Sequence, residues 1–203
     1  MLGHSAGGTI AAFLAARGEA SGLVLLEAMI GDRAFAENAA AQAAPLATRT
    51  ERRFAGFGQY LAAWRGQRER FSSEAERLVD RWVRYALAPM PDGTYRERAL
   101  REAVETEWAS IAGADSLGAL ARVACPVMIV QAVKPWLGGR PYFTRRIVEA
   151  QLRAVPRATL VVARQSDHVR ILRDPEPAMI EALQTFMSER CAAGRDYRVA
   201  PRS

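Results

Sequence analysis

Near the start of the chain, Gly3-His4-Ser5-Ala6-Gly7 sets a serine between two glycines in the spacing G-x-S-x-G, and a helix-forming run, residues 6–17, follows at once. A strand that turns sharply into a helix lifts a serine hydroxyl clear of the backbone. Flanking glycines leave room where a side chain would meet neighbouring main chain. A hydroxyl so presented can attack an acyl carbon. The amide of Ala6, backed by the helix N-terminus, is the expected donor to the oxyanion that forms.

A serine hydroxyl is a weak nucleophile at neutral pH and needs a base, and the chain holds only 2 histidines. His4 lies inside the elbow beside Ser5, where its side chain is expected to point away from the hydroxyl, in a packing or hydrogen-bonding role. His168 follows the last predicted strand in the loop Ser166-Asp167-His168, at the carboxyl edge of a parallel sheet, where open α/β sheets place their sites. His168 is therefore the expected base.

A carboxylate should hold that imidazole in its working tautomer. The stretch after the strand 127–130, Gln131 to Leu137, contains no acid, whereas Glu27 ends the strand 22–26. Glu27 is the first choice and Asp32 the reserve. Asp167 ranks behind both, because neighbouring residues usually direct their side chains apart. A strand-end carboxylate with no chemical duty is the plain alternative for Glu27.

These groups need elements to position them. Gly22-Leu23-Val24-Leu25-Leu26 is an unbroken apolar run, the pattern of a parallel strand buried on both faces, and strand character returns at 126–130 and 158–162. From about 33 to 120 the periodicity becomes helical without strands, at 50–66, 73–88 and 95–112, and reads as a helical cap insertion. Ser73 with Glu76 suggests a capping box, Leu78, Trp82 and Tyr85 an apolar stripe, and Pro89, Pro91 and Asp92-Gly93 a turn. The Ala-rich 34–47 is expected to join sheet to cap. Residues 144–154 read as a helix with Thr144 as cap, and a last helix is expected from Asp174, with Pro175 in first position, to about Arg190. The domains are then 1–32 with 121–190 as core, 33–120 as insertion and 191–203 as a loose tail. Trp136, with Phe57, Tyr60 and Trp64, could line an apolar substrate pocket, although helix packing explains each taken singly.

Composition narrows the class. The chain has 203 residues, half of them apolar, which suffices for a real core. A net charge of +6 would suit nucleic acid only if the basic residues gathered in a stripe, and they instead alternate with acids along helices. The two cysteines, Cys125 and Cys191, suggest neither a disulfide framework nor a zinc site, and no metal or organic cofactor is implied. No apolar run approaches a membrane span and no signal segment is evident, so a cytoplasmic protein with a small-molecule substrate, and neither a nucleic-acid nor a membrane partner, is expected.

The elbow GHSAGG, the helical insertion, the strand segment CPVMIV and the closing block SDHVRILRDPEPAMIEALQTF resemble the α/β-hydrolase fold superfamily over nearly the whole chain. The resemblance implies an α/β fold with a partial sheet of about three parallel strands plus a stub, flanked by helices, and the order Ser5, Glu27, His168 fits its Ser…Asp/Glu…His pattern. It implies a serine esterase-like enzyme, with carbon–carbon bond hydrolysis or peptidase chemistry open to the same triad. Leu26-Glu27-Ala28-Met29-Ile30 is also similar to the sixth-strand ending of some haloalkane dehalogenases, although the serine nucleophile does not carry their reaction over. Such hydrolases place about five strands before or at the elbow, and here only Met1 and Leu2 stand in for the fifth. A shortened sheet is expected to lack the second oxyanion amide, at a cost of about 10²–10³ in rate. It would also leave strand 22–26 nearly an edge, open to self-association. A non-catalytic remnant or interaction module is the competing class.

Overall fold

Alternating faces of an apolar strand must both be covered, and that requirement organises the structure. The computed structural model describes residues 1–65, 71–135 and 143–190. The chain forms two units, Met1–Asp32 with Asp115–Ser203, and Arg33–Ala114.

In the first unit, strands β1 (Leu2–His4), β2 (Leu23–Leu26), β5 (Val127–Ala132) and β6 (Thr159–Ala163) form one parallel sheet in the order β1-β2-β5-β6. Helix α1 (Ala6–Ala16) follows the elbow; α6 (Ser116–Ala121), α7 (Arg145–Ala154), α8 (Arg170–Arg173) and α9 (Pro177–Arg190) complete the unit. Residues of odd number on β2 and β5, Leu23, Leu25, Val127 and Ile129, pack with Ala11, Ala12 and Ala15 of α1 and Leu120 of α6. Those of even number, Val24, Leu26, Met128 and Val130, pack with Ile171 of α8 and Met179 and Phe186 of α9. Alanines on α1 let its backbone approach the sheet closely.

Strand β2 stands second in the sheet, beside the three-residue edge strand β1, in keeping with its expected place near an edge. Leu2–His4 pairs residue for residue with Val24–Leu26, and the Met1 ammonium donates to the Gly22 carbonyl at 2.7 Å. Among the described residues the sheet's two open edges are β1, where Leu2 is exposed, and β6, where Leu160 and Val162 are.

The second unit comprises α2 (Arg33–Arg49), α3 (Phe57–Arg65), α4 (Ser73–Ala86), the antiparallel pair β3 (Leu87–Pro89) and β4 (Tyr95–Glu97), and α5 (Arg101–Gly113). The Ala-rich 34–47 is thus helical. The segment was expected to hold no strands, and the hairpin corrects that. Its turn forms where the prolines and Asp92-Gly93 suggest, with Gly93 at φ 80° and Asp92 Oδ1 accepting from the Thr94 amide at 3.0 Å. Ser72, one residue earlier than expected, caps α4 by accepting from the Ala75 amide at 3.3 Å, and Glu76 reaches back to the Phe71 amide. The buried stripe of α4 is Ala75, Val79 and Val83, whereas Leu78 and Tyr85 are exposed. The unit ends at Ala114 rather than 120, because Asp115 caps α6, which packs on α1 and the sheet.

Helix α9 begins at Pro177, not at 174–175. Asp174 instead ends the short helix α8, its carboxylate held by Arg170 at 2.8 Å. The tail from 191 lies outside the described residues.

Candidate active site

Parallel pairing of β1 with β2 brings two strand ends side by side, and each ends in a residue with a backbone that favours glycine. Ser5 has φ 53° and Glu27 has φ 45°. Such conformations cost on the order of 1–3 kcal/mol and persist only when neighbours over-determine them. Here they do. The Ser5 amide donates to Leu26 O at 3.1 Å, its carbonyl accepts from Gly8 and Met29, both at 3.0 Å, and the Glu27 amide donates to Val130 O at 3.0 Å.

Two glycines make the elbow possible. A Cβ on Gly3 would lie 2.5 Å from Gly7 O, 2.6 Å from Gly8 Cα and 2.7 Å from Gly8 N, all backbone atoms; one on Gly8 would collide with Ala28. Gly3→Ala is expected to destabilise the fold by about 3 kcal/mol, the upper end for overpacking, since main chain must move. Urea unfolding measures this, and a loss below roughly 0.5 kcal/mol, the scale of a surface change, would contradict the packing described.

The loop after β6 carries His168 back over these ends. His168 Nε2 lies 3.1 Å from Ser5 Oγ, and its Nδ1 lies 3.3 Å from Glu27 Oε2. The other carboxylate oxygen of Glu27 accepts from the Ala132 amide at 2.9 Å. Hydroxyl, imidazole and carboxylate thus form one continuous line, with His168 and Glu27 both buried. Asp167 does not compete, because its Oδ1 accepts from the Val169 and Arg170 amides and starts α8. Asp32, the reserve acid, is gripped by Arg146 through both oxygens, at 2.6 and 3.1 Å. Ala6 is the first residue of α1, where an amide has no intrahelical acceptor.

Burial sets the electrostatics. It pushes the Glu27 carboxyl up to about 8, with the Ala132 amide opposing and the Asp167 charge adding. It draws the His168 imidazole down to about 4, against the pull of Asp167. Both shifts favour neutral partners.

His4 combines two contacts: Nε2 donates to the His168 carbonyl at 2.8 Å, and the rings sit 4.7 Å apart. The Ala132 amide escaped sequence reasoning, since a backbone donor carries no side-chain signal. Phe57, Tyr60 and Trp64 belong to an aromatic cluster within the second unit. Tyr60 is buried and donates to Glu97 at 3.0 Å, Trp64 meets Phe71 and Trp82, and Phe57 meets Tyr95. Trp136 lies outside the described residues. Among the described residues no group of His, Cys, Asp and Glu is arranged to hold a metal ion, and no helix is long and apolar enough to cross a membrane.

Comparison with known proteins agrees with this architecture. The family model described as alpha/beta hydrolase family matches residues 1–182. The chain is similar in structure to E-2-(acetamidomethylene)succinate hydrolase, with a TM-score of 0.71 and 18% identity, covering 92% of this chain and 65% of that one. It is also similar to a thioesterase domain from the curacin biosynthetic pathway (TM-score 0.60, 16% identity, 90% and 63% covered). A third likeness is to an enol-lactonase from Burkholderia xenovorans LB400 (TM-score 0.58, 17% identity, 93% and 65% covered). The chain therefore spans somewhat less than two thirds of these proteins' length. No curated protein matches it. A parallel sheet of four strands flanked by helices, an elbow serine between β1 and α1, and a family match over residues 1–182 lead to one statement: the chain belongs to the alpha/beta hydrolase family.

Proposed function

We propose that the protein is a serine hydrolase of esters or related acyl compounds, working through an acyl-Ser5 intermediate. The observation that carries this reading is the unbroken line from Ser5 Oγ through His168 to Glu27, at 3.1 and 3.3 Å. In the first step Ser5 Oγ bonds to the acyl carbon while its proton passes to His168 Nε2. The Ala6 amide stabilises the oxyanion, and the proton then goes to the departing alcohol as the ester bond breaks. Water, giving a proton to His168, attacks the acyl carbon; the bond to Ser5 Oγ breaks, Oγ takes that proton back from His168, and the acid is released. Glu27 keeps the ring proton on Nδ1 and stabilises the imidazolium. The scheme calls on no cofactor. The inserted unit Arg33–Ala114, which contributes no member of this line, is assigned the part of a cap that selects substrates.

Reaction with a fluorophosphonate, followed by mass analysis of the peptide containing Ser5, tests the reading. A covalent adduct on Ser5 is expected; folded protein that takes up none would favour the non-catalytic alternative.

The rate of that labelling should depend steeply on pH. When Glu27 holds a proton, Nδ1 of His168 must accept it as a hydrogen bond, the ring proton moves to Nε2, and no lone pair faces Ser5. Ionisation of Glu27 restores the base. Labelling is therefore expected to rise about tenfold per pH unit towards about 8 and level off above it. A plateau already reached at pH 6.5 would show that Glu27 is ionised there and overturn this account.

A further inference from the structure

The elbow places a second imidazole against the first. His4 is 164 residues from His168 in sequence, yet its Nε2 meets the His168 carbonyl at 2.8 Å and its ring lies over the His168 ring with centroids 4.7 Å apart and planes tilted 35°. A nitrogen facing a carbonyl oxygen must carry a proton, so His4 is the Nε2–H tautomer. Phe143 meets the His168 ring as well, at 6.2 Å between centroids.

From this arrangement we infer that His4 is a positioning residue for the base: its Nε2–H holds the main chain of His168 at a fixed distance from the adjacent Ser5. The inference rests on the serine-hydrolase reading above. His168 stands in the turn between β6 and α8, which is shaped from its own side by the Asp167 carboxylate and by Ile171 bonding to Asp167 O, and tied to the segment after β5 by the Lys134 amide donating to Ser166 O at 3.0 Å. Those bonds shape the turn but do not tie it to β1. The His4 bond does, because His4 and Ser5 are consecutive and His4 is anchored opposite Leu26 in the sheet. One dipeptide thus sets both the nucleophile and the backbone of its base. Burial keeps His4 neutral, with its pKa drawn down to about 4, so the clamp adds no positive charge beside the imidazolium that forms on His168.

Two variants separate donor from ring. His4→Phe keeps an aromatic ring and loses the N–H; His4→Gln loses the ring and can offer an amide N–H at similar reach. With a fluorophosphonate, His4→Phe is expected to lower the maximal labelling rate about 10–100-fold with little change in the half-saturating probe concentration, the scale of a misplacement near 1 Å. His4→Gln should stay within about threefold of the parent rate, the donor being retained. Equal impairment of both folded variants, or unchanged labelling of His4→Phe, overturns the inference while leaving Ser5 labelling of the parent intact. A second readout needs no activity. The chain has 2 histidines, so protein labelled with ¹⁵N-histidine shows two imidazoles by NMR, and His4 should appear as the Nε2–H tautomer from pH 5 to 9. In His4→Phe the His168 ring signals should broaden or split, and in His4→Gln remain single. An Nδ1–H tautomer for His4 refutes the clamp whether or not the chain hydrolyses anything, and absence of labelling in the parent refutes the serine-hydrolase reading alone.

Discussion

Replacing His168 with alanine is expected to lower ester hydrolysis by about 10⁶-fold, the scale seen when nucleophile or base is removed from such a unit. The hydroxyl of Ser5 would keep its place on the elbow, since backbone bonds to Leu26, Gly8 and Met29 hold it, but nothing would take its proton. His4 cannot substitute, because its Nε2 proton is committed to a main-chain carbonyl and is a donor. Ser5→Ala should cost about as much, and the double variant hardly more, since the two groups act in one step. Steady-state hydrolysis of a nitrophenyl ester, with thermal unfolding as a check of the fold, measures all three. A His168→Ala enzyme within tenfold of the parent would mean that the proton leaves by another route.

Glu27→Gln should cost about 10⁴-fold, the scale for an acid that fixes the tautomer of its histidine. The partners of the two carboxylate oxygens set this cost. Ala132 donates to one carboxylate oxygen, so a glutamine there keeps its carbonyl towards Ala132 and turns its amide towards His168. That amide can only donate. Nδ1 of His168 must then accept, its proton shifts to Nε2, and the ring offers Ser5 no lone pair. Folding should survive. The folded-state pKa of Glu27 lies above its ordinary value, so the stability linked to it is complete below about 4.5 and lost as pH rises through about 8. Glutamine has no such dependence. The variant should therefore gain stability relative to the parent as pH rises across that window, which urea unfolding at several pH values detects. Parent-level activity would remove Glu27 from the relay.

Much of the sheet was legible because buried parallel strands need residues apolar on both faces, and Leu23–Leu26 and Val127–Val130 are unbroken runs of that kind. The elbow and His168 were legible for another reason: a glycine-flanked serine and one loop histidine leave few choices. Local signals failed where distant contacts decide. Strands β3 and β4 have three residues each, and their pairing is extended by a bridge from Phe54 to Tyr95 that no short window reveals. Asp174-Pro175 carries the signature of a helix start, yet Arg170 claims the aspartate, and Glu176 is drawn to the Gln165 amide and the Ser166 hydroxyl. Ser72 and Ser73 are equivalent to a pattern reader, and only the geometry of the Ala75 amide separates them. The tie between His4 and His168 joins residues near opposite ends of the chain, so sequence could name the bond type but not the partner.

Ser5 and Glu27 precede residue 33, and His168 follows residue 114, so Arg33–Ala114 is spliced into the chain between the groups of the proposed relay, which share the other unit. On the proposed assignment of that unit as a cap, length changes or wholesale recombination within it are expected to retune what is accepted without redrawing the geometry of Ser5, His168 and Glu27. That assignment would give evolution and the protein engineer separate handles on selectivity and on chemistry.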